Sequence, residues 1–327
     1  MSQVIPWPPV RSGPPPQNQY EISTYMGYDC IVSHLEPSPN GPSPHFVVDW
    51  TQQPTKEKPY PFLPSMVPSF LEQVWVDNAD KNRPNIKHCL SELTDKYWGL
   101  PIFVVGTGPS LEKNMHVLTE NKKGIIIATN DAINILPKEV KIDYYMVVDG
   151  RLPERWWANC KRDLKSMKLI SVPLVTPNVT KYFDPDNIYW ARFAGEEGPN
   201  RCFKDMNHIV CIEPGYVCGF SALHAAFMLG ANPVVMVGMD CCLQNGRLHA
   251  GDVVKARALP GEEYVVANDI YGTPRVTSST YMRGMWKMAA GAKLNGRHTH
   301  FINATEGGIL KDFVDVTPLH EVMSWQK

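Results

Sequence analysis

The sequence predicts an α/β fold in which a mainly parallel sheet carries helices on both faces and a proline-rich extended arm precedes it. Three observations predict this fold. After Pro101, short apolar runs alternate with polar stretches of helix length, the runs are continuous, and fifteen of the 29 prolines lie before residue 69. Continuous apolar runs of four to six residues are typical of strands that are buried on both faces of a parallel sheet.

The arm is predicted over residues 1–68. Its prolines, from Pro6 to Pro68, each remove a backbone donor and fix φ, so they exclude long helices. The arm also holds more aromatic residues than a solvated tail would, which favours packing on the body or on a partner. These aromatic residues are Trp7, Tyr20, Tyr25, Tyr28, Phe46, Trp50, Tyr60 and Phe62. An arm of this kind can cover its own body or bridge two copies in a homo-oligomer.

The rest of the chain is predicted as a short helical connector (69–97), a body (98–315) and a C-terminal tail (316–327). In the body, the runs "IFVVG", "GIIIAT", "YYMVVD", "LISVP" and "VVMVG" predict strands, and the segments between them predict βαβ units. One unit is clear in the letters: a helix of small residues runs from about Gly219, Gly230 ends it, and a strand follows at once.

Polar residues and glycines follow the ends of these runs. Because ligands bind beyond the carboxyl ends of parallel strands, we expect these residues to converge on one edge and form a site. They are Gly106, Thr107, Gly108, Asn130, Asp131, Asp149 and Asp240. The alternative for each amide or acid is that it caps a helix or forms a turn.

The glycine turn "GTGPSL" fits neither common nucleotide fingerprint. A dinucleotide site needs a third glycine where Leu111 stands, and a phosphate loop needs a Gly-Lys-Ser/Thr sequence that is missing here. What remains is a tight turn with Pro109 near a helix start and Ser110 able to cap it. Exposed amides at such a start favour a phosphate or a carboxylate.

Composition excludes several classes of protein. Lysine and arginine total 32 against 33 acids, a net charge of -1, so nucleic-acid binding by bulk electrostatics is not indicated. With no apolar run of 18 residues and no signal peptide at Met1, we expect no membrane association and a cytoplasmic location. The eight cysteines form no CxxC pair and are expected to be reduced and mostly buried. A zinc site would need the poorly spaced set of Cys202, His208, Cys211 and Cys218.

Five segments occur in the order expected of the MptE-like family: "GTGPSLEKN", "IIATNDAINIL", "DYYMVVDGR", "VVMVGMDCCLQNGRLHAGD" and "FINATEGGILKDF". The chain therefore resembles that family over residues 97–315. The family includes motility-associated glycosyltransferases of flagellin and the archaeal hydroxymethylpterin diphosphokinase. The "GTGPSL" turn also looks like that of bacterial sialyltransferases that use CMP-sialic acid. The resemblance implies a Rossmann-like body that binds an activated nucleotide donor.

The resemblance also implies roles for particular residues. Four residues of the glycine turn around Thr107 would hold the nucleotide phosphates: Gly106, Gly108, Pro109 and Ser110. Asn130 and Asp131 would contact the base, the ribose or the donor, and Asp149 and Asp240 would line the centre. Another set would close the opposite wall: Asn303, Thr305, Glu306, Gly307 and Gly308. Thr277 and Ser278 would touch the ligand, although capping of the following helix explains them as well.

If a sugar is transferred, the leaving phosphate needs positive dipoles and the acceptor hydroxyl needs a base. The amides of the glycine turn, together with Arg151, are candidates for the first task. His249 is the candidate base because histidine titrates near neutral pH. Asp240 is either a rival base or the group that orients His249. Glu306 is another candidate acid or base, unless its carboxylate bonds to the amides of its own glycine turn.

Three functions remain open at this point. The favoured one is a glycosyltransferase that needs no cofactor, takes a nucleotide-activated sugar such as a CMP-linked nonulosonic acid, and transfers it to an unknown hydroxyl acceptor. The second is a diphosphokinase that acts on a pterin-like alcohol and uses ATP and Mg²⁺, with Asp149 as the metal ligand. Arg151 stands where a second acid would be expected, and a lone acid is a poor magnesium site. The third is a non-catalytic nucleotide-binding or assembly protein.

Overall fold

A computed structural model of the chain describes residues 20–25, 28–33, 45–49, 69–121, 123–193, 203, 206–213, 217–251, 264–295 and 299–325. Most of the predicted arm and Cys202 therefore lie outside the described residues. The strands are β1 (Tyr20–Tyr25), β2 (Tyr28–Ser33), β3 (His45–Asp49), β4 (His88–Cys89), β5 (Ile102–Val105), β6 (Ile125–Thr129), β7 (Tyr144–Val147), β8 (Lys168–Ser171), β9 (Ile188–Trp190), β10 (Arg192–Phe193), β11 (Cys211–Ile212), β12 (Val234–Val237), β13 (Tyr264–Asn268), β14 (Pro274–Ser278), β15 (Phe301–Asn303) and β16 (Asp315–Val316). The helices are α1 (Ser69–Asn82), α2 (Leu111–Asn114), α3 (Ala132–Ile135), α4 (Arg155–Ala158), α5 (Val179–Tyr182), α6 (Cys218–Met228), α7 (Ser279–Asn295) and α8 (Leu319–Ser324).

The main sheet has nine strands in the order β16-β15-β12-β5-β6-β7-β8-β9-β4, and every neighbouring pair is parallel. The predicted Rossmann-like α/β fold is confirmed. From β5 the chain builds outward through β9 on one side, and then returns to place β12 on the other side of β5. The boundary between β5 and β12 is thus a topological switch point, where open α/β sheets bind ligands.

The sheet core explains the continuous apolar runs. All four residues of β5 and of β7 are fully buried. Helix α6 packs across β5, β6, β7 and β12, and three of its alanines, Ala222, Ala225 and Ala226, are fully buried. Small residues let this helix lie close to the sheet. Gly230 follows it with a φ of +86°, which ends the helix as the sequence predicts.

The links between β5 and β9 differ from the prediction of helix-length segments. Each of α2, α3, α4 and α5 has only four residues. Prolines flank these helices: Pro109 and Pro153 precede α2 and α4, whereas Pro137 and Pro185 follow α3 and α5. Because proline cannot continue a helix, Pro137 and Pro185 limit α3 and α5 on their C-terminal side, whereas Pro109 and Pro153 lie before helix starts, where proline is tolerated.

A second sheet joins the arm to the body. Its five strands have the order β1-β2-β3-β13-β14. The strands β13 and β14 form an antiparallel hairpin, and β3 from the arm pairs with β13 in parallel. The strands β10 and β11 form a separate two-stranded parallel sheet. The predicted domain boundaries, and the pairing of copies through the arm, stay predictions.

The connector begins with the predicted helix, α1, which ends at Asn82 well before the predicted boundary. Two asparagines one turn apart hold α1 on the loops after β7 and β8. Asn78 Nδ2 donates to the carbonyls of Gly150 and Leu174 at 3.0 Å each, and Asn82 Nδ2 donates to two further carbonyls at 2.7 Å each. Among the described helices, none combines the length and the apolar character needed to cross a lipid bilayer.

Candidate active site

Three turns interlock at the switch point of the sheet: 106–110 after β5, 238–240 after β12 and 304–308 after β15. We call them the interlocked turns. Asp240, only 1% exposed, lies at their centre. Its Oδ2 accepts hydrogen bonds from Ser110 N at 3.2 Å and from Ser110 Oγ at 2.7 Å, and its Oδ1 accepts one from Gln244 Nε2 at 3.1 Å. One buried carboxylate thus ties the glycine turn to the turn after β12.

The glycines of these turns are needed because backbones approach closely. A Cβ on Gly108 would lie 2.0 Å from Asp240 Oδ2, and one on Gly106 would lie 2.6 Å from Gly238 O. A Cβ on Gly307 would lie 3.1 Å from Asp240 Oδ1. Gly308 has a φ of +78°, and a Cβ there would lie 2.5 Å from Asp240 Cα. Packing between turns therefore accounts for these four glycines, and the phosphate contacts inferred for the glycine turn stay predictions.

Ser110 occupies the N-cap position of α2, but its side chain does not cap the helix. The hydroxyl donates to Asp240 instead. The capping role predicted for Ser110 is therefore wrong: the side chain is oriented so that its hydroxyl makes a charge-assisted hydrogen bond to the buried carboxylate, and its oxygen accepts no amide of α2.

The wall formed by the 304–308 turn is held by its own polar side chains. Asn303 Nδ2 donates to the carbonyl of Leu310 at 2.7 Å, and Asn303 Oδ1 accepts from Thr305 N at 2.9 Å. Thr305 Oγ1 accepts from Met239 N at 3.1 Å. Both Asn303 and Thr305 are buried. These contacts give the two residues a role in joining β15 to β12, and their ligand contacts stay predictions.

Glu306 does not bond to the amides of its own glycine turn, which was one alternative. Its Oε1 accepts from Leu319 N, at the start of α8, at 3.1 Å and from Asn114 Nδ2 at 3.3 Å. The residue itself has a φ of +57°, in the left-handed region. The carboxylate thus joins α2, α8 and the 304–308 turn, and its acid or base role is untested.

The environment of Asp240 disfavours its charge. Burial raises the pKa of the Asp240 carboxyl above 3.8, and the hydrogen bonds from Ser110 and Gln244, with the charge of Lys113, act in the opposite direction. A carboxyl that is enclosed and engaged in this way acts first as a hydrogen-bond centre for the turns. The predicted role of Asp240 as a base remains untested.

His249 lies on the loop after β12, against the glycine turn. Its Nδ1 is 3.0 Å from Thr107 Oγ1, in a hydrogen bond whose donor depends on the imidazole tautomer. The neighbouring Ala250 N donates to the carbonyl of Thr107 at 2.7 Å. His249 is exposed and Thr107 is 9% exposed. The sequence predicts His249 and Thr107 in the same site, and the structure brings them into contact.

Glu112 on α2 holds this loop from the other side. Its two carboxylate oxygens accept from Arg247 Nη1 at 2.8 Å and Nη2 at 2.9 Å, and Oε1 also accepts from Gly251 N at 2.7 Å. The bonds from Arg247 and Gly251 lower the pKa of the Glu112 carboxyl. Sequence reasoning missed Glu112 and Arg247, because their contact joins segments that are 135 residues apart.

The turns after β6 and β7 present polar groups of a different kind, and we call them the open turns (130–131 and 149–151). Asn130 has a φ of +50°, and its Oδ1 is enclosed but has no hydrogen-bond partner among the described residues. Asp131 Oδ1 accepts from Asn134 Nδ2 at 2.6 Å. Asp149 and Arg151 are both exposed, and Asp149 Oδ1 accepts from Arg151 N at 2.8 Å. One carboxylate oxygen of Asp131 and one of Asp149 are thus engaged within their own turns, as the turn alternative predicts.

Helix α6 begins beside the open turns. The residue before it, Val217, has no side-chain acceptor and so does not cap the helix. Cys218 Sγ lies 3.5 Å from the carbonyl of Met146 in β7. Burial raises the pKa of the Cys218 thiol, so this cysteine is expected to be unreactive.

Ser278 follows the capping alternative, whereas Thr277 does not cap the helix. Ser278 Oγ accepts from Tyr281 N at 3.2 Å in the first turn of α7. Thr277 Oγ1, fully buried, donates to the carbonyl of Cys241 at 2.5 Å. The bond from Thr277 attaches β14 to the segment between β12 and His249, and the ligand contacts of both residues stay predictions.

The hairpin turn between β13 and β14 contains residues that sequence reasoning missed. Asp269, 1% exposed, accepts from the amides of Tyr271 and Thr273 and from Arg275 Nε, all within 2.9 Å. Tyr271 donates its hydroxyl proton to the carbonyl of Glu306 at 3.3 Å. The letters "NDIYG" predict a turn, but they do not show that it rests on the 304–308 turn.

Metal-binding groups do not cluster in the described part of the chain, where no three His, Cys, Asp or Glu side chains come together. The zinc set cannot be followed in full because Cys202 lies outside the described residues. The six cysteines with described side chains are free thiols, and three of them are buried: Cys218, Cys241 and Cys242.

Comparison with protein families gives one match. The family model described as "6-hydroxymethylpterin diphosphokinase MptE-like" matches residues 75–246, which is more than half of the chain. The match includes the glycine turn, the open turns and Asp240, and it confirms the resemblance that the segments predict. No curated protein matches.

Of the following three solved structures, one has a similar fold with a TM-score above 0.5. A MAf glycosyltransferase from Magnetospirillum magneticum AMB-1 is 16% identical, with a TM-score of 0.58 over 78% of this chain. The chain spans only 40% of the length of that protein. The sialyltransferase CstII from Campylobacter jejuni, in complex with cytidine-5'-monophosphate, is 14% identical over 68% of this chain and 87% of its own, with a TM-score of 0.40. A mammalian sialyltransferase is 9% identical over 72% of this chain and 85% of its own, with a TM-score of 0.32.

Proposed function

The chain belongs to the MptE-like family, and from that membership we propose that it is a transferase that uses an activated nucleotide donor and moves a sugar to a hydroxyl acceptor. The fold shared with the MAf glycosyltransferase supports sugar as the transferred group. A CMP-linked nonulosonic acid is the favoured donor, since the "GTGPSL" turn resembles that of sialyltransferases. The acceptor is a hydroxyl of unknown identity, and the reaction needs no cofactor.

The observation that carries this proposal is the place of His249. Its imidazole contacts Thr107 directly after β5, at the switch point where an α/β sheet binds its ligand. An exposed histidine there can take the proton of an acceptor hydroxyl at neutral pH.

The other roles follow from the open turns. The exposed Arg151 supplies a guanidinium for the leaving nucleotide phosphate. The enclosed Oδ1 of Asn130 has no protein partner among the described residues, and a donor group on the base or the ribose would satisfy it. Asp240 keeps the interlocked turns in place through Ser110 and Gln244, which supports the site without contact to the reacting atoms.

A diphosphokinase is the second candidate, because the description of the matched family names that activity. It would need Mg²⁺, which prefers oxygen ligands in octahedral geometry and is usually held by one or two carboxylates with substrate phosphates. Asp149 is a single exposed carboxylate whose Oδ1 already accepts the Arg151 amide. This donor set fits Mg²⁺ only together with the phosphates of ATP.

The test combines binding and turnover on the full chain. Thermal unfolding is measured with CMP, CDP, UDP, GDP and ATP, each with Mg²⁺ and with EDTA, because a ligand that binds only the folded state raises Tm. Release of CMP from CMP-N-acetylneuraminic acid is then followed for the natural chain, for His249→Gln and for the matched control His320→Gln, whose histidine is exposed on α8.

We expect a Tm increase with CMP that EDTA does not remove. His249→Gln should keep that increase but lose about a hundredfold or more in CMP release, the usual contribution of a general base. His320→Gln should match the natural chain. An increase with ATP and Mg²⁺ alone would replace sugar transfer with the diphosphokinase. If no nucleotide raises Tm, both transferase functions fail and the non-catalytic assembly protein is the remaining hypothesis.

A further inference from the structure

We propose that Thr107 and Glu112 are positioning residues that fix the imidazole of His249 in one tautomer, with the Nδ1 proton donated to Thr107 Oγ1. Nε2 then carries the lone pair that accepts the proton of the acceptor hydroxyl. The proposal rests on the proposed function for the use of His249, but the geometry that it describes is measured without any substrate.

Glu112 holds the loop on both sides of His249. Arg247, two residues before the histidine, donates two hydrogen bonds to the carboxylate, at 2.8 and 2.9 Å. Gly251, two residues after it, donates its backbone amide to the same carboxylate at 2.7 Å. Five consecutive residues with the histidine at their centre are thereby fixed to α2.

This contact is suited to orientation rather than to stability. The side chains of Arg247 and Glu112 are 28% and 36% exposed, and an ion pair with this much exposure contributes little to folding. A guanidinium that meets a carboxylate through two parallel bonds is nevertheless held at a defined angle. The added backbone bond from Gly251 ties the main chain, and not only a side chain, to the same point.

Thr107 is itself fixed and so can fix the ring. Its carbonyl accepts from Ala250 N at 2.7 Å, which brings its hydroxyl within 3.0 Å of His249 Nδ1. A hydroxyl oxygen accepts from Nδ1–H in both the neutral and the protonated ring, because Nδ1 carries a proton in each. The hydrogen bond therefore persists while Nε2 gains and releases a proton.

In the transfer step, the acceptor O–H bond breaks and its proton goes to Nε2 of His249. The acceptor oxygen forms a bond to the anomeric carbon of the donor sugar, while the bond from that carbon to the phosphate oxygen breaks. The electron pair of the broken bond leaves with the nucleotide phosphate, and the imidazolium later gives its proton to solvent.

The tautomer is measured by NMR on the full chain with ¹⁵N-labelled histidine, because neutral Nδ1–H and Nε2–H rings have different nitrogen shifts. The His249 signal is identified among the ten histidines by its loss in His249→Gln. We expect Nδ1–H in the natural chain and in Thr107→Ser, which keeps the hydroxyl. Thr107→Val, which keeps the shape, should change His249 to the Nε2–H form that free histidine prefers.

Glu112→Gln should give averaged nitrogen shifts for His249, because the loop loses its charged anchor. The matched control is Asp186→Asn, which breaks an equally short exposed ion pair with Lys87 at 2.7 Å near the far edge of the sheet. Its His249 shifts should equal those of the natural chain. An Nε2–H ring in the natural chain, or shifts that are unchanged in both Thr107→Val and Glu112→Gln, would overturn the proposal.

Measurements of activity test the proposal separately from the NMR spectra. In CMP release from CMP-N-acetylneuraminic acid, Glu112→Gln should lower kcat about tenfold and leave KM unchanged, because a displaced base costs rate and not binding. Thr107→Ser should retain most of the activity that Thr107→Val loses. If the natural chain releases no CMP while its NMR spectra behave as expected, the positioning of His249 stands and the proposed function fails.

Discussion

The interlocked turns and the open turns lie along the same edge of the sheet, but they use their polar groups differently. In the interlocked turns, the side chains of Ser110, Asp240 and Thr305 bond to other protein groups and are almost fully buried. In the open turns, Asp149 and Arg151 are exposed, and Asn130 holds an enclosed oxygen that no described residue satisfies. One half of the edge is closed by contacts within the protein, and the other half carries the groups that the proposed function assigns to a ligand.

From this difference we infer that the motifs that carry the family resemblance hold the turns together, and that plainer segments of the sequence contact the ligand. The glycine turn lies inside the family match and the "NATEGG" segment resembles the family, yet the glycines of both lie in close contact with neighbouring turns. The proposed function assigns the ligand contacts instead to Asn130 and Arg151. Three predictions test this division, from the largest expected effect to the smallest.

Gly108→Ala should produce the largest loss of stability. Its new methyl would lie 2.0 Å from Asp240 Oδ2, so the two turns must separate, and we expect a loss of about 3 kcal/mol or a failure to fold. The matched control is Gly291→Ala in α7, where the methyl would meet Phe220 at an ordinary 3.4 Å. That change should stabilise the protein by about 0.5 kcal/mol, since alanine favours a helix. Urea unfolding measures both, and equal free energies would show that the turns do not interlock.

Asn130→Gly and Ser110→Ala should have opposite effects. Glycine adopts the φ of +50° at position 130 without strain, so the free energy of unfolding should change by less than about 0.5 kcal/mol. The affinity for CMP should fall about tenfold, because the ligand loses a hydrogen bond to the amide. Ser110→Ala should leave the affinity unchanged and lower stability by about 2 kcal/mol, since the bond to a buried carboxylate is lost.

Calorimetric titration with CMP and urea unfolding on both variants separate the two effects. A loss of affinity in Ser110→Ala with its stability intact would place the phosphate at the interlocked turns, as the family resemblance implies. The division between the two halves of the edge would then be wrong.

The raised pKa of Asp240 should make stability depend on pH in a defined direction. As the pH rises above 3.8, the unfolded chain releases this proton before the folded chain does, so the free energy of unfolding falls until the pH passes the raised pKa. The loss amounts to about 1.4 kcal/mol for each unit by which the pKa is raised. Asp240→Asn does not titrate at this position, and Gln244 can turn its amide oxygen toward the new group.

The measurement is urea unfolding of the natural chain and of Asp240→Asn from pH 4 to pH 7. The natural chain should lose stability relative to Asp240→Asn as the pH rises, while all other groups cancel in the difference. If the difference in the free energy of unfolding does not change with pH, burial does not raise the pKa of the Asp240 carboxyl. The described environment of Asp240 would then not control its charge.

The sequence predicts the strands of the core well because their signal is local. Every residue of β5, β7 and β12 is apolar and buried. A run of four such residues predicts a strand without any information on the neighbouring strands. The strands β4, β10, β11 and β16 have two residues each, too few to show a period. They exist because a neighbouring strand supplies hydrogen bonds, which no local pattern reveals.

The sequence predicts where the residues of the candidate site lie in the fold, but it does not predict which side chains contact one another. The rule that ligands bind at carboxyl ends of parallel strands places Thr107, Asn130 and Asp149 on one edge, as observed. It does not reveal that Ser110 turns to Asp240 rather than to its own helix, or that Glu112 holds the loop of His249. Those pairings join residues more than 100 positions apart, and they depend on how the turns pack once the sheet has formed.

The two outermost strands of the main sheet have a consequence for behaviour at high concentration. A parallel sheet of nine strands exposes two rows of unpaired backbone groups, along which a second molecule can add and start an aggregate. Here β4 and β16 end the sheet after two residues each, so each row is too short to template another strand. We therefore expect these two edges of the wide sheet to resist the addition of further strands.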